Sequence, residues 1–466
     1  MSEHAVRRHR LRELVPGPIL LMGNGERSRN LPMNKLPFRQ DSTFLYFTGC
    51  TRPGAAALLT AAGYELFLPA PASDDALWHG PTPSLEEIGA QLGADRVRPS
   101  AELPEAIAAL GEPPRTLAVA DEGVNRRVAA WVDRPLAFGA EHGHDDLVDA
   151  VIQLRRVKSA HEVERMRAAS EATSAAFAAT MASTHPGSHE NALAVLFEAV
   201  LGLRGCTTGY DLILSQAGEV LHNHAHDQVL TEGRMVLLDG GGEVADGYGV
   251  DITRTWPVSG RFLPRQRAAY DAVLASQLAA IEACTVGTRY REVHDAASRV
   301  LAQWLADEGL LRCSPDESIE RGAHAVFFPH GVGHHLGLDV HDLENFGDRP
   351  SYPPGRARPD LFGTGYLRLD LPLEEGWIVT VEPGFYVVPA ILDDAALRER
   401  LGDVVDFDRA RTWLDDGSGH GFGGIRIEDD ILITADGPVD LTTVPREADA
   451  IEALVGSGPR VEDRLR

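Results

Sequence analysis

The chain has 466 residues, long enough for two or three domains rather than one ordinary core. Hydrophobic residues make up 44% and charged residues 24%, the composition of an ordinary soluble globular protein. A net charge of −25 repels nucleic acid and anionic membrane surfaces, so neither is expected as a partner without a local basic patch. The densest basic stretch, VRRHRLR at 6–12, is short and reads as the solvated face of a first helix.

The four cysteines, Cys50, Cys206, Cys284 and Cys313, include no C-x-x-C pair, which argues against a zinc ribbon or a thioredoxin-type site. They are expected to be reduced and mostly buried. The basic N-terminus lacks a long apolar run, and no stretch long enough to span a membrane occurs. These features predict a cytoplasmic enzyme.

Residues 1–155 alternate short strands (64–70 and 117–121) with helices such as 84–93, a pattern that predicts an α/β domain. The boundary is placed near 155, after the polar EHGHDD. Residues 156–466 read as a second, α+β domain. Its first helix is announced by a capping box, Ser159 with Glu162, and carries Val163, Met166, Ser170, Thr173 and Phe177 at helical spacing. Further helices are predicted over 189–203, 265–283 and 290–308, the last ending before Gly309. Between them MVLLD (235–239), YGVDITRTW (248–256), WIVTVEPGFYVV (377–388) and GIRIEDDILIT (424–434) read as strands. Two stretches rich in Pro, Gly and Asp, 344–373 and 389–421, read as long loops.

Several acids sit in apolar strand contexts where a core residue is expected. Asp239 ends an apolar strand before three glycines, which let the backbone turn tightly. Asp251 lies in the next strand of a predicted hairpin, so the two carboxylates can meet. Such a pair repels unless a cation sits between. Glu382 follows VTV, and Glu428 lies in GIRIEDD, where Arg426, Glu428 and Asp430 share one face. His334 lies in HGVGHHLGLDVHD, among four histidines. Four carboxylates and one imidazole suit Mn²⁺, Co²⁺, Fe²⁺ or Zn²⁺, and bridging carboxylates would hold two ions together. Taken singly, each of these residues reads as a turn or surface residue. The coincidence of five in such contexts predicts a two-metal hydrolase. HNHAHD at 222–227 has the residues of a metallo-β-lactamase-type motif in the wrong order.

The blocks VLLDGGGEVADGYGVDITRTWPVSGRF, HGVGHHLGLDVHD, VTVEPGFY and GIRIEDDILIT resemble, in this order, the Xaa-Pro aminopeptidase (aminopeptidase P) and prolidase family. FRQDSTFLYFTGC at 38–50 is similar to that family's N-terminal domain. The resemblance spans roughly 38–450. It implies an N-terminal α/β domain serving oligomerisation or substrate gating, followed by a pita-bread (creatinase/aminopeptidase-type) catalytic domain. It further implies two divalent ions, commonly Mn²⁺. Asp239 would be a terminal ligand, Asp251 and Glu428 bridging ligands, His334 a ligand of one ion, and Glu382 both ligand and general base. All five positions are filled, unlike in metal-free members such as creatinase or in binding-only relatives. By the same resemblance His222 lines the substrate site, His330 and His341 contact the proline side and stabilise the reacting amide, and Arg426 adjoins the final glutamate. His335 is expected to turn away from His334 and be structural.

The implied reaction is hydrolysis of the Xaa–Pro bond at the N-terminus of a peptide. The two ions would make a bound water acidic enough to supply hydroxide near neutral pH. The proline nitrogen has no N–H, so a dedicated proline pocket makes chemical sense. Alternatives are a prolidase restricted to Xaa-Pro dipeptides, for which the two long loops could supply a carboxylate-binding group, and a non-catalytic scaffold of the same fold. Trp78 and Gly80 resemble the W-x-G of the aminopeptidases, in which the Trp reaches a neighbouring subunit's site. The resemblance also implies a homodimer or homotetramer.

Overall fold

The computed structural model describes residues 2–72, 74–414 and 421–464. The chain divides into two compact units, one formed by 1–156 with 343–350, the other by 157–342 with 351–466.

The first unit opens with α1 (Glu3–Leu14) and β1 (Ile19–Met22), followed by α2 (Ser42–Thr48), β2 (Ala56–Thr60) and β3 (Gly63–Leu68). After α3 (Asp75–His79) and α4 (Leu85–Leu92) come β4 (Arg96–Pro99), α5 (Leu103–Ala108), β5 (Arg115–Thr116), α6 (Glu122–Val132) and α7 (Asp145–Arg156). The strands form a mixed sheet in the order β4-β3-β2-β1-β5. Ser84 and Glu87 close a capping box on α4, and Gly93 ends it in a left-handed conformation.

Two expectations fail in this unit. Arg7 and Arg8 are not a solvated face: both are buried, with guanidinium groups 3.9 Å from the Tyr46 ring centroid and 4.0 Å from that of Tyr64. Each also donates to a backbone carbonyl, of Tyr46 and Phe47 respectively, so their charges are satisfied inside the fold. Nor do residues 117–121 form a strand. The ladder stops at Thr116 because the Asn125 side chain takes over both backbone groups of Val119, at 2.9 and 2.8 Å.

The second unit starts with α8 (Ala160–Ala182), whose Ser159–Glu162 capping box is present, and α9 (Glu190–Leu203). Met166, Ser170, Thr173 and Phe177 are buried along one side of α8. Short strands β6 (Thr207–Thr208) and β9 (Gly242–Glu243) pair with each other. β7 (Ile213–Ser215), β8 (Met235–Asp239) and β10 (Thr253–Pro257) form an antiparallel sheet in the order β10-β8-β7. α10 (Pro264–Ala283) and α11 (Tyr290–Asp307) follow, then α12 (Pro315–Arg321). β11 (Ile378–Val381) pairs with β14 (Asp429–Thr434), which pairs with β15 (Gly437–Asp440), while β12 (Gly384–Tyr386) pairs with β13 (Gly424–Arg426). Trp256, Trp377, Tyr270 and Tyr290 are wholly buried.

Three strand expectations are refined. The run 248–256 is a strand only from Thr253, so Asp251 lies just before β10 rather than within it. Gly240 N donates to Ile252 O, and Val250 N to Gly242 O, which draws the chain out of ladder register. The run 377–388 splits at Glu382-Pro383, because Pro383 has no N–H to continue the ladder. The run 424–434 splits at Ile427-Glu428 opposite it. The expected loop 389–421 instead carries α13 (Pro389–Asp393), α14 (Ala395–Leu401) and α15 (Phe407–Arg411); its residues 415–420 lie outside the described residues. The stretch 344–373 has only single 3₁₀ turns at Glu344–Phe346 and Thr364–Tyr366. Among the described residues no helix is long and apolar enough to cross a membrane.

The sharpest local constraint is at Gly241, where an added Cβ would run into the Val250 carbonyl oxygen, a backbone atom that cannot step aside. Gly241→Ala is therefore expected to destabilise the second unit by ~3 kcal/mol or more, read as a lower urea midpoint with unchanged slope.

Candidate metal centre

The five acid and histidine positions converge inside the second unit. Asp239 is the last residue of β8 and pairs in register with Thr253 of β10. Glu428 sits at the break between β13 and β14, where its N–H donates to Thr253 O at 3.1 Å. Glu382 sits at the break between β11 and β12, and its N–H donates to Val332 O at 2.8 Å. The two glutamates thus sit where the ladder between segments 378–386 and 424–432 is interrupted without a change of register, each turning its N–H to a third segment. His334 runs beside β11: its carbonyl accepts the Thr380 N–H, and its own N–H donates to the Thr380 hydroxyl. The chain passes so close here that a Cβ on Gly333 would collide with the Thr380 carbonyl and the Tyr290 hydroxyl.

Ligand-type atoms of Asp251, His334 and Glu428 lie within 4.8 Å of one another. His334 Nε2 is 3.4 Å from Asp251 Oδ2 and 3.7 Å from Glu382 Oε1. Its Nδ1 donates to the His335 carbonyl at 2.9 Å, so Nε2 faces the acids: protonated it can donate to Asp251, and without that proton its lone pair is open to a metal ion. Glu382 is the most open of the five, with its side chain 17% exposed.

Burial pushes the Glu382 carboxyl up to about 7, only partly offset by His334 and Arg426. Burial likewise raises Asp239 to about 6 against the pull of Arg426. Glu428 is raised well above the carboxylate range by burial and by the charges of Asp251, Glu382 and Asp239. Burial also pushes on Asp251, but the hydrogen bond and charge of His334 outweigh it and hold Asp251 low. These acids cannot all ionise side by side without a cation, and an oxygen-rich set with one imidazole fits divalent metal ions.

The surrounding residues hold this set in place. Arg426 donates to Asp239 Oδ2, to Thr253 Oγ1 and to the Tyr386 hydroxyl. Thr253 Oγ1 donates to Glu428 Oε2 at 2.6 Å. Buried Arg254 clamps the same break through the carbonyls of Thr253 and Glu428 and the carboxylate of Asp429. His330 bonds the Tyr386 hydroxyl at 2.9 Å, and burial together with the Arg426 charge lowers its pKa to about 3, so it is neutral. His341 stacks on His334, ring centroids 3.8 Å apart. His222 lies on an exposed coil segment, close enough for Arg426 and Arg368 to lower its pKa after burial has done so. His335 packs edge-on against Trp377 instead. His226 of HNHAHD bonds the Leu212 carbonyl. Trp78, in the first unit, is 61% exposed and bonds Asp74.

Sequence reasoning missed Tyr210, whose hydroxyl sits between Asp239 Oδ1, at 2.6 Å, and Asp251 Oδ1. It has one proton and can donate to only one of them at a time. TTGYD at 207–211 contains no signal that would have singled it out. Asp430, buried and accepting the Asp251 N–H, was seen only as sharing a face with Glu428.

Residues 164–435 match metallopeptidase family M24, and residues 4–118 match the N-terminal domain of aminopeptidase P. A probable Xaa-Pro aminopeptidase of Penicillium rubens is 32% identical, the alignment covering 90% of this chain and 89% of the relative. Among solved structures, Pseudomonas aeruginosa aminopeptidase PepP is 29% identical with a TM-score of 0.80, covering 99% of this chain and 98% of that one. A zinc-substituted Escherichia coli aminopeptidase P in complex with product is 28% identical with a TM-score of 0.78, covering 98% of both chains.

The raised carboxyls set the expected pH dependence of metal binding. A carboxyl whose folded pKa is raised stabilises the metal-free fold below its unfolded value and loses that contribution as pH climbs to the folded value, here from ~4.3 to about 7 for Glu382. A bound cation relieves this penalty and competes with the same protons. At ~100 times its Kd, Mn²⁺ is expected to stabilise the protein by ~2.7 kcal/mol near pH 8 and by much less at pH 5. Thermal unfolding with and without Mn²⁺ at the two pH values measures the difference, and an equal gain at both would contradict it.

Proposed function

Since the chain belongs to metallopeptidase family M24, with the N-terminal domain of aminopeptidase P, we propose that it removes the N-terminal residue from peptides with proline in second position. We assign it two divalent ions, Mn²⁺ first, held by Asp239, Asp251, His334, Glu382 and Glu428. The observation that carries this reading is the convergence of four carboxylates and one imidazole at the strand breaks. The chemistry such a pair supplies when bound is Lewis-acidic: a more acidic water and a polarised amide carbonyl.

The chain's own groups do the rest. Glu382, open on one side, takes a proton from the attacking water and delivers it to the proline nitrogen as the amide bond breaks. That nitrogen has no N–H, so it must be protonated to leave, and it offers nothing for an ordinary peptidase to grip. His341 donates a hydrogen bond to the developing oxyanion. His330, neutral and tied to Tyr386, walls the proline side without adding charge. Arg426 keeps Asp239 ionised and aimed. His222 borders the entrance. The free cysteines support a reducing, cytoplasmic setting, and the family likeness supports a homodimer or homotetramer.

A dipeptidase reading rests on Arg368. It lies in the stretch 344–373, and its charge reaches both His222 and His330. A cation there suits the free carboxylate of an Xaa-Pro dipeptide.

With Mn²⁺, the protein is expected to cleave an Xaa-Pro-Yaa-Zaa peptide, and Glu382→Gln to lower kcat about 1,000-fold. Steady-state kinetics on this peptide and on an Xaa-Pro dipeptide separate the readings. Cleavage of the dipeptide alone, with Arg368→Ala raising its KM, would establish the dipeptidase instead. Equal rates for the parent and Glu382→Gln would remove Glu382 from the chemistry.

A further inference from the structure

Among the described residues three other than glycine have a positive φ, and two of them flank Asp342: His341 at 61° and Leu343 at 70°. Left-handed backbone is disfavoured for both and persists only where the surroundings impose it. Asp342 between them is buried, and its Oδ2 lies 3.2 Å from Lys158 Nζ, both side chains 1% exposed. Its backbone N–H donates to His335 O at 2.9 Å, so both its main chain and its side chain are tied. Lys158 is anchored too: its N–H donates to Gly376 O at 2.8 Å, and the next residue, Ser159, caps α8. The turn that leads into His341 packs against this ion pair. A Cβ on Gly337 would lie 2.5 Å from Asp342 Oδ2, 2.9 Å from Lys158 Cε and 3.0 Å from its Nζ.

We propose that Lys158 is a positioning residue for His341. Acting through Asp342, it imposes the left-handed turn at 341–343 that lays the His341 ring against His334. A buried ion pair is a poor source of net stability, because desolvation offsets its attraction. Its use here is to select one conformation of a strained turn. The inference rests on reading His341 as a group that acts on the reacting amide.

The test uses the full-length, Mn²⁺-loaded protein and an Xaa-Pro-Yaa-Zaa peptide. Lys158→Met removes the Lys158 countercharge from the buried Asp342 and can fail to fold. Lys158→Met/Asp342→Asn removes both charges and is the deciding variant. It is expected to fold, to lower kcat about 100-fold with KM little changed, and to add nothing to the loss caused by His341→Ala when the three changes are combined. In the metal-free protein, the NMR signal of the His341 ring, shifted by its stack on His334, is expected to move. A folded double variant with unchanged kcat and an unmoved His341 signal would overturn the proposal. An unchanged kcat in His341→Ala would instead remove the chemical role of His341. The NMR signal then decides the positioning claim by itself: moved, it stands; unmoved, it falls.

Discussion

Mutual repulsion among buried carboxylates is the constraint on which the rest of this structure depends. Asp239, Asp251, Glu382, Glu428 and Asp430 lie together on the inside of one unit, where burial alone drives most of them toward the protonated form. A fold that tolerates this must bring positive charge to them. Part of it is built in: Arg426 reaches Asp239, Arg254 and Arg446 reach Asp429, and His334 holds Asp251. The remainder is left for a cation, as expected of a metallopeptidase of the pita-bread fold, the class of hydrolase to which this chain belongs.

The backbone solves a second problem. A continuous strand would send alternate side chains to opposite faces, but ligands from different strands must meet at one point. The breaks at Glu382-Pro383 and Ile427-Glu428 do this. The ladder between the two segments pauses there in unchanged register, and each glutamate turns its N–H to a third segment, at Val332 or Thr253. Thr253 stitches the second break to β10, since its carbonyl accepts the Glu428 N–H and its hydroxyl donates to the Glu428 carboxylate. Pro383 is the chemical reason that the first break occurs where it does.

Around the acids stands a layer whose charge states follow from burial. His330 is neutral, and Tyr386 keeps its proton, pushed up to about 12 by burial. These neutral polar groups leave the charge of the site to the acids and to Arg426.

The sequence by itself determined a good deal. Apolar runs ending in acids, the capping box at Ser159, the glycines after Asp239 and the ordered blocks through GIRIEDDILIT identified the pita-bread fold and its peptidase family, because these signals are local and each has a local physical cause. What lay outside its reach were features that exist only once particular groups meet in the fold. Arg7 and Arg8 look solvated until Tyr46 and Tyr64 fold over them. Residues 117–121 look like a strand until the Asn125 side chain satisfies Val119. Residues 389–411 look like loop because their helices are short and rich in turn formers. Tyr210 had no signal, since its place between Asp239 and Asp251 exists only after β7, β8 and β10 pair. Only the tertiary structure could decide which acids share a space, because repulsion, burial and hydrogen bonding depend on distances that spacing along a chain does not contain.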